Sequence, residues 1–295
     1  MNEIKPIDLN FLGNEEAIAS YVIQTSEGPA LIETGPYSTF PVLEKALNKI
    51  DIKVTDIKHV FITHIHLDHA GAAWKFAEHG ANIYLHPFGV RHMANPAKLM
   101  ASAKMIYKDD MDRLWGEMNE IPEKQLISPE HGEKIVIGNT DFTAWYTPGH
   151  ANHHIAWQVG DGLFTGDVAG VKIGNGPVVA PCPPPDINLE KWQTSIDLIR
   201  EISPSKLYLT HFGVVTDVSN HLIALEEDLY KVAEIVNEYR KLNYSQQKME
   251  ELFTNFVKNE LIVLGLDQIA LNQYEAANPP FMSVAGLLRY WDKKN

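Results

Sequence analysis

The stretch Thr63-His64-Ile65-His66-Leu67-Asp68-His69-Ala70-Gly71 sets three histidines and an aspartate within six residues, directly after the apolar run Val60-Phe61-Ile62. Imidazole and carboxylate are costly to bury unpaired, but they are good ligands for divalent cations. Similar donors end other apolar runs: His150 follows Thr147-Pro148-Gly149, Asp167 closes Leu163-Phe164-Thr165-Gly166, and His211 closes Leu207-Tyr208-Leu209-Thr210. In extended backbone side chains alternate, so His64 and His66 should point one way while Ile65 faces the core. A turn then lets Asp68 and His69 approach from a second direction. Two directions suit two neighbouring ions: His64, His66 and His150 around one, Asp68, His69 and His211 around the other, with Asp167 available as a bridge. All-nitrogen and carboxylate ligation with an open position suits catalytic zinc, and iron or manganese would also accept it.

The elements that must position these donors read as alternating strands and helices. Ala19 to Ile23 and Ala30 to Ile32 flank the turn Ser26-Glu27-Gly28, and Phe40, Leu43 and Leu47 have helical spacing. Lys58 to Ile62 is a strand, Ala70 to His79 a short helix closed by Gly80, and Ile83 to Leu85 another strand. From about residue 86 to 125 strand signals give way to Met and aromatic residues on helical spacing. This is a helical insertion, its side chains core first and pocket second, with a lid over the site as the sharper reading. Strands follow at Lys134 to Ile137, Phe142 to Tyr146, Ile155 to Val159 and Leu163 to Thr165, the last two joined through Gly160-Asp161-Gly162. Leu189 to Ile202 is an amphipathic helix, and Lys206 to Thr210 a strand that delivers His211. Beyond Asp217 only helices are expected. The division implied is a catalytic domain over residues 1–215 and a C-terminal helical extension over 216–295.

A chain of 295 residues with 45% apolar content can bury a sizeable core. Its formal charge of −13 repels phosphate backbones and argues against nucleic acid as partner. No apolar run is long enough to cross a bilayer, so no membrane partner is expected. The opening MNEIKPIDLN lacks the basic stretch and apolar segment of a secretory signal, and the single cysteine, Cys182, fits a reducing compartment. The expected setting is cytoplasmic and the expected partner a small-molecule substrate.

Taken together, His64-x-His66-x-Asp68-His69-x-Gly71, Thr147-Pro148-Gly149-His150, Gly166-Asp167 and Thr210-His211 resemble the metallo-β-lactamase superfamily, in order and spacing, across roughly residues 21–213. The flanking stretches TPGHANHHIAW and LHPFGVRHMANPAKLMASA look like a general metal-dependent hydrolase branch near the glyoxalase II-like enzymes. The resemblance implies an α/β fold, a four-layer αββα sandwich with the metals at one edge of its sheets. It also implies two zinc ions and a hydroxide bridging them as nucleophile, which would cleave a small ester, thioester or lactone, with Asp68 steadying that hydroxide or relaying its proton. Where many members carry Asp in the turn Leu31-Ile32-Glu33-Thr34-Gly35, this chain has Glu33. The resemblance gives that carboxylate the task of orienting a ligand histidine from behind. His154 is a candidate for the same supporting task. Ala151 and His153 stand where relatives often place Thr and Gly.

Two rivals belong to other classes. A persulfide dioxygenase-like enzyme would hold one ferrous ion on His64, His150 and Asp167, and a non-enzymatic metal-binding scaffold or sensor would need no open coordination site. Flavodiiron chemistry is disfavoured by His66, where its relatives carry glutamate. Structural roles are expected for His59, His79, His86, His92, His131 and His221, a packed position for Cys182, and an exposed one for His153. The final helices, with Leu222, Leu225, Leu229 and Val232 in register, are read as packing; a homodimer contact and one wall of the cleft are the readings left open.

Overall fold

Runs of β-branched and aromatic residues pair into two mixed sheets, and the helices between them cover the outer faces. The computed structural model describes residues 3–294. Its first half runs β1 (Ile4–Asp8), β2 (Ala19–Thr25), β3 (Gly28–Ile32), α1 (Phe40–Lys49), β4 (His59–Phe61), α2 (Leu67–Ala70), α3 (Ala73–Glu78) and β5 (Asn82–Tyr84). Then come α4 (Pro87–Ala94), α5 (Ala97–Tyr107), α6 (Met111–Leu114) and β6 (Leu126–Ile127). These six strands lie in sequence order, antiparallel from β1 to β3 and parallel from β3 to β6.

The second half mirrors this plan. It contains β7 (Lys134–Ile137), β8 (Thr140–Tyr146), β9 (Ile155–Val159), β10 (Gly162–Gly166), α7 (Leu189–Ile202), β11 (Lys206–Leu209) and β12 (Gly213–Val215). The sheet order is β12-β11-β10-β9-β8-β7, with β10 and β11 its one parallel pair. Four helices follow: α8 (Val218–Lys241), α9 (Gln246–Val263), α10 (Gln268–Ala277) and α11 (Pro280–Lys294). Among the described residues no helix is long and apolar enough to cross a membrane.

Three apolar layers hold these parts. Between the sheets, Phe61 stacks on Phe142 at 4.1 Å and Phe164 on Tyr208 at 4.4 Å. On the outer face of the first sheet, Leu43, Leu47, Phe76 and Met93 bring α1, α3 and α4 onto Val60 and Ile83. On the outer face of the second, Trp192, Ile196, Leu225 and Leu287 bring α7, α8 and α11 onto Leu163 and Leu207. Helix, sheet, sheet, helix is the αββα sandwich, with a C-terminal helical extension.

Several local expectations are corrected. β1, β6 and β12 carry no signal strong enough to read: β6 has two residues, and β1 holds a proline, Pro6. The helix expected over Ala70 to His79 is split. His66 caps a first turn through its carbonyl, which accepts from the N–H groups of His69 and Ala70. The break comes where Ala72 N–H donates to Gly35 instead of continuing the helical ladder. Asp68 and His69 therefore sit inside a helical turn rather than before one. In the insertion, Met93, Met111 and Met118 are core, but Met105 is 75% exposed on the outer face of α5.

Candidate metal centre

Every donor lies at the carboxyl end of a strand. His64 and His66 occupy the loop after β4, Asp68 and His69 the turn α2, His150 the loop after β8, Asp167 the residue after β10 and His211 the loop after β11. Two glycines make this convergence sterically feasible. Gly149 has φ 143°, and a Cβ there would lie 2.3 Å from Trp192 Cα, so α7 packs directly behind His150. Gly166 has φ 48°, and its Cβ would lie 2.3 Å from Thr63 Oγ1. Only glycine lets these turns approach their neighbours so closely.

The sequence-derived donors come together as two triads. His64 Nε2 lies 2.9 Å and His150 Nε2 3.1 Å from His66 Nδ1. On the other side, His69 Nε2 and His211 Nε2 lie 3.7 Å and 3.5 Å from Asp68 Oδ2. Asp167 stands between them. Its Oδ2 is 3.3 Å from His150 and 4.0 Å from His64, while its Oδ1 is 3.2 Å from His69 and 3.4 Å from His211. Within each of the groups His64/His66/His150, His64/His69/Asp167 and Asp68/His69/His211, the ligand atoms all lie within 4.8 Å of one another.

Outer partners settle which nitrogen faces inward. His150 Nδ1 donates to the Pro181 carbonyl at 2.9 Å and His211 Nδ1 to the Ala17 carbonyl at 2.7 Å, so in the neutral ring it is Nε2 that offers a lone pair to the centre. Glu33 is fully buried in a left-handed conformation at φ 62°. Its Oε1 accepts from Thr63 N–H at 3.1 Å and its Oε2 faces His69 Nδ1 at 3.4 Å. Its longer side chain thus reaches the histidine from the strand-end turn. His154 accepts from Asp167 N–H at 3.3 Å through Nε2 and donates to Thr147 Oγ1 at 2.8 Å through Nδ1, fixing the backbone of the shared carboxylate.

These residues fit a pair of cations. Inward lone pairs at about 3 Å repel unless a positive charge lies among them. His69 Nε2, His211 Nε2 and Asp167 Oδ1 are buried without any hydrogen-bond partner in the described structure, a costly arrangement for polar atoms that a cation would satisfy. The electrostatics divide in the same way. Burial, reinforced by the neighbouring imidazoles, holds His64 well below its ordinary pKa, lowers His66 to about 3 and lowers His150. Burial also opposes the charged forms of His69 and His211, but Asp167 and Asp68 overcome it and raise both. The imidazoliums in turn outweigh burial at the carboxylates, lowering Asp68 to about 2 and Asp167 well below the usual range.

The centre opens into a 420 Å³ cleft bounded by α5, the proline-rich loop 181–185 and the segment before α11. His153 is corrected here: it is half-buried in the cleft wall, its Nδ1 accepting from Ile65 N–H at 3.4 Å. His92 keeps a structural bond, accepting from Arg91 Nε at 3.1 Å, and also lines the cleft. His59, His86, His131 and His221 are structural, bonding respectively to Tyr84 Oη, Phe88 N–H, Tyr146 N–H and the Ala169 carbonyl. Two contributors went unread in the sequence. The Ala17 and Pro181 carbonyls have no side-chain signature, and Tyr107 is one aromatic among several on a helical face.

A family model described as the metallo-beta-lactamase superfamily matches residues 13–211. A metallo-beta-lactamase fold-containing protein of Sulfurisphaera tokodaii is 29% identical over 164 residues, which are 54% of this chain and 62% of that protein's length. A protein of Bacillus subtilis named as a probable metallo-hydrolase is 21% identical over 224 residues, 68% of this chain and 70% of its own. The crystal structure of a metallo-beta-lactamase family protein from Thermus thermophilus superposes with a TM-score of 0.67 at 20% identity. It covers 99% of this chain and 93% of that one, so the likeness in fold extends through the C-terminal helices.

Proposed function

The chain belongs to the metallo-beta-lactamase superfamily, and from that premise we propose that it is a cytoplasmic dinuclear zinc hydrolase of a small ester, thioester or lactone. One observation carries the reading: the two oxygens of Asp167 divide between two histidine-rich triads. His64, His66 and His150 would hold one cation, Asp68, His69 and His211 the other, with Asp167 shared. When bound, such a pair supplies Lewis acidity and lowers the pKa of a water to about 7.

The chain's own residues do the rest. Both histidine contacts of Asp68 fall on Oδ2, leaving Oδ1 to orient the attacking water and take its proton. Asp68 is ionised at neutral pH, as that task requires. Tyr107 lines the same cleft, and burial together with the charge of Asp68 raises its phenol above the ordinary range. It stays neutral and can donate a hydrogen bond to a substrate oxygen. Leu67, Leu99, Ala103 and Ile106 give the cleft an apolar wall against which a substrate chain can pack. The lone, buried thiol of Cys182 suits the reducing compartment proposed.

The test is metal analysis of protein purified without chelator, alongside chromogenic ester, thioester and lactone panels on the unchanged protein and Asp68→Asn. Two zinc per chain and turnover lost in the variant are expected. One iron per chain would redirect the assignment to mononuclear oxidation, and metal-loaded protein inert on the whole panel would leave a binding scaffold.

A further inference from the structure

The cleft is lined by two chemically different sets of polar residues. His66, Asp68 and Asp167 line it from the ligand cluster, and Leu67, Leu99, Ala103, Ile106, Trp115 and Met282 contribute apolar wall. Arg91 from α4 and Lys98 from α5 line the same cleft, and both act with Asp186 on the charge of His92. Arg91 differs from the other arginines of this chain. Arg113, Arg200 and Arg240 pair with carboxylates, and Arg289 donates to the Pro185 carbonyl. Arg91 instead donates through Nε to His92 Nε2 at 3.1 Å. Burial and the adjacent guanidinium keep that imidazole neutral by lowering its pKa. The guanidinium is thereby steadied while its terminal N–H groups stay free of any carboxylate among the described residues. Lys98 likewise forms no ion pair among them.

Cations without an ion-pair partner in the lining of a largely apolar cleft are unexpected in a chain of net charge −13, whose field otherwise repels anions. Arg91, Lys98 and Asp186 together leave a single net positive charge, which a monoanion matches better than a dianion. A guanidinium with its outer fork free suits a carboxylate in particular. We propose that the cleft binds an ω-carboxyacyl compound, its acyl carbonyl over the metal centre, its chain along the apolar wall and its terminal carboxylate on Arg91 and Lys98. The substrate class would then be half-esters or half-thioesters of dicarboxylic acids. The hydrolytic step rests on the function proposed above; the binding mode stands on the cleft alone.

Calorimetric titration separates the two. Suberic acid monoamide and octanamide share a chain and an unreactive carbonyl and differ at the far end. The monoamide is expected to bind the zinc-loaded protein roughly three- to tenfold tighter, the range for two solvent-exposed charge pairs. Its advantage should shrink with added salt, vanish in Arg91→Gln/Lys98→Gln, and grow in Asp186→Asn. Equal binding of the two amides would overturn the proposal. So would an advantage that survives in the double variant, because the carboxylate would then sit on the metal ions. Selective binding without turnover of any ester would sink the hydrolase and leave this assignment standing; turnover without selectivity would do the reverse.

Discussion

Glu33→Gln is the sharpest probe of how the centre is held. The carboxylate is fully buried, with Oε1 on Thr63 N–H at 3.1 Å and Oε2 facing His69 Nδ1 at 3.4 Å. Glutamine preserves size but offers one acceptor and one donor. If its oxygen stays on Thr63, its NH₂ meets His69 Nδ1–H, and the imidazole must move its proton to Nε2. That atom lies 3.2 Å from Asp167 and 3.7 Å from Asp68, where a cation needs a lone pair. If the amide flips, a buried donor faces Thr63 N–H, at a cost of about 1–3 kcal/mol. Either arrangement should weaken zinc binding at the site proposed for Asp68, His69 and His211 by roughly 10–100-fold, about 1.4–2.7 kcal/mol. Binding at the site proposed for His64, His66 and His150 should be little affected. Zinc titration of the metal-free variant against a chromogenic chelator resolves the two affinities, and a urea melt checks folding. Glu33→Asp keeps the charge and tolerates the left-handed backbone better, so it should fall between variant and parent. Two unchanged zinc affinities in Glu33→Gln would refute the account.

Gly166→Ala adds a methyl 2.3 Å from Thr63 Oγ1 at φ 48°. Left-handed strain and overpacking together should lower unfolding stability by about 2–5 kcal/mol in urea, and an unmoved midpoint would contradict the packing described. His69 and His211, raised by Asp167 and Asp68, hold protons that a cation must displace. Zinc affinity should therefore rise with pH and binding should release protons, seen as a dependence of calorimetric heat on buffer ionisation; heat independent of buffer would count against it. In the metal-free protein the same two shifts should contribute stability that is fully present below about pH 6.5 and lost as pH rises through the folded values. Metal-free denaturation profiles of His211→Gln beside the parent test this: the gap between them should narrow toward alkaline pH.

Chemistry-bearing residues were legible in the linear sequence because a metal site demands particular atoms, and few side chains supply them. His64, His66, Asp68, His69, His150, Asp167 and His211 were each identifiable by type and by position after an apolar run, and the fold gathers all seven. The layered architecture was implied by the resemblance those motifs carry, whereas period-two and helical patterns placed individual strands and helices because they reflect which face is buried. Tertiary structure alone decided the rest. That Asp167 turns one oxygen to each triad depends on a glycine turn packed against Thr63 and His154. That His150 and His211 present Nε2 depends on the carbonyls of Pro181 and Ala17, 31 and 194 residues away in the chain. Backbone groups are the same at every position, so no pattern announces which of them will orient a ligand. The cleft lining formed by Arg91, Lys98 and Asp186 was hidden likewise, because charge alone does not tell an exposed residue over open water from one over a cleft.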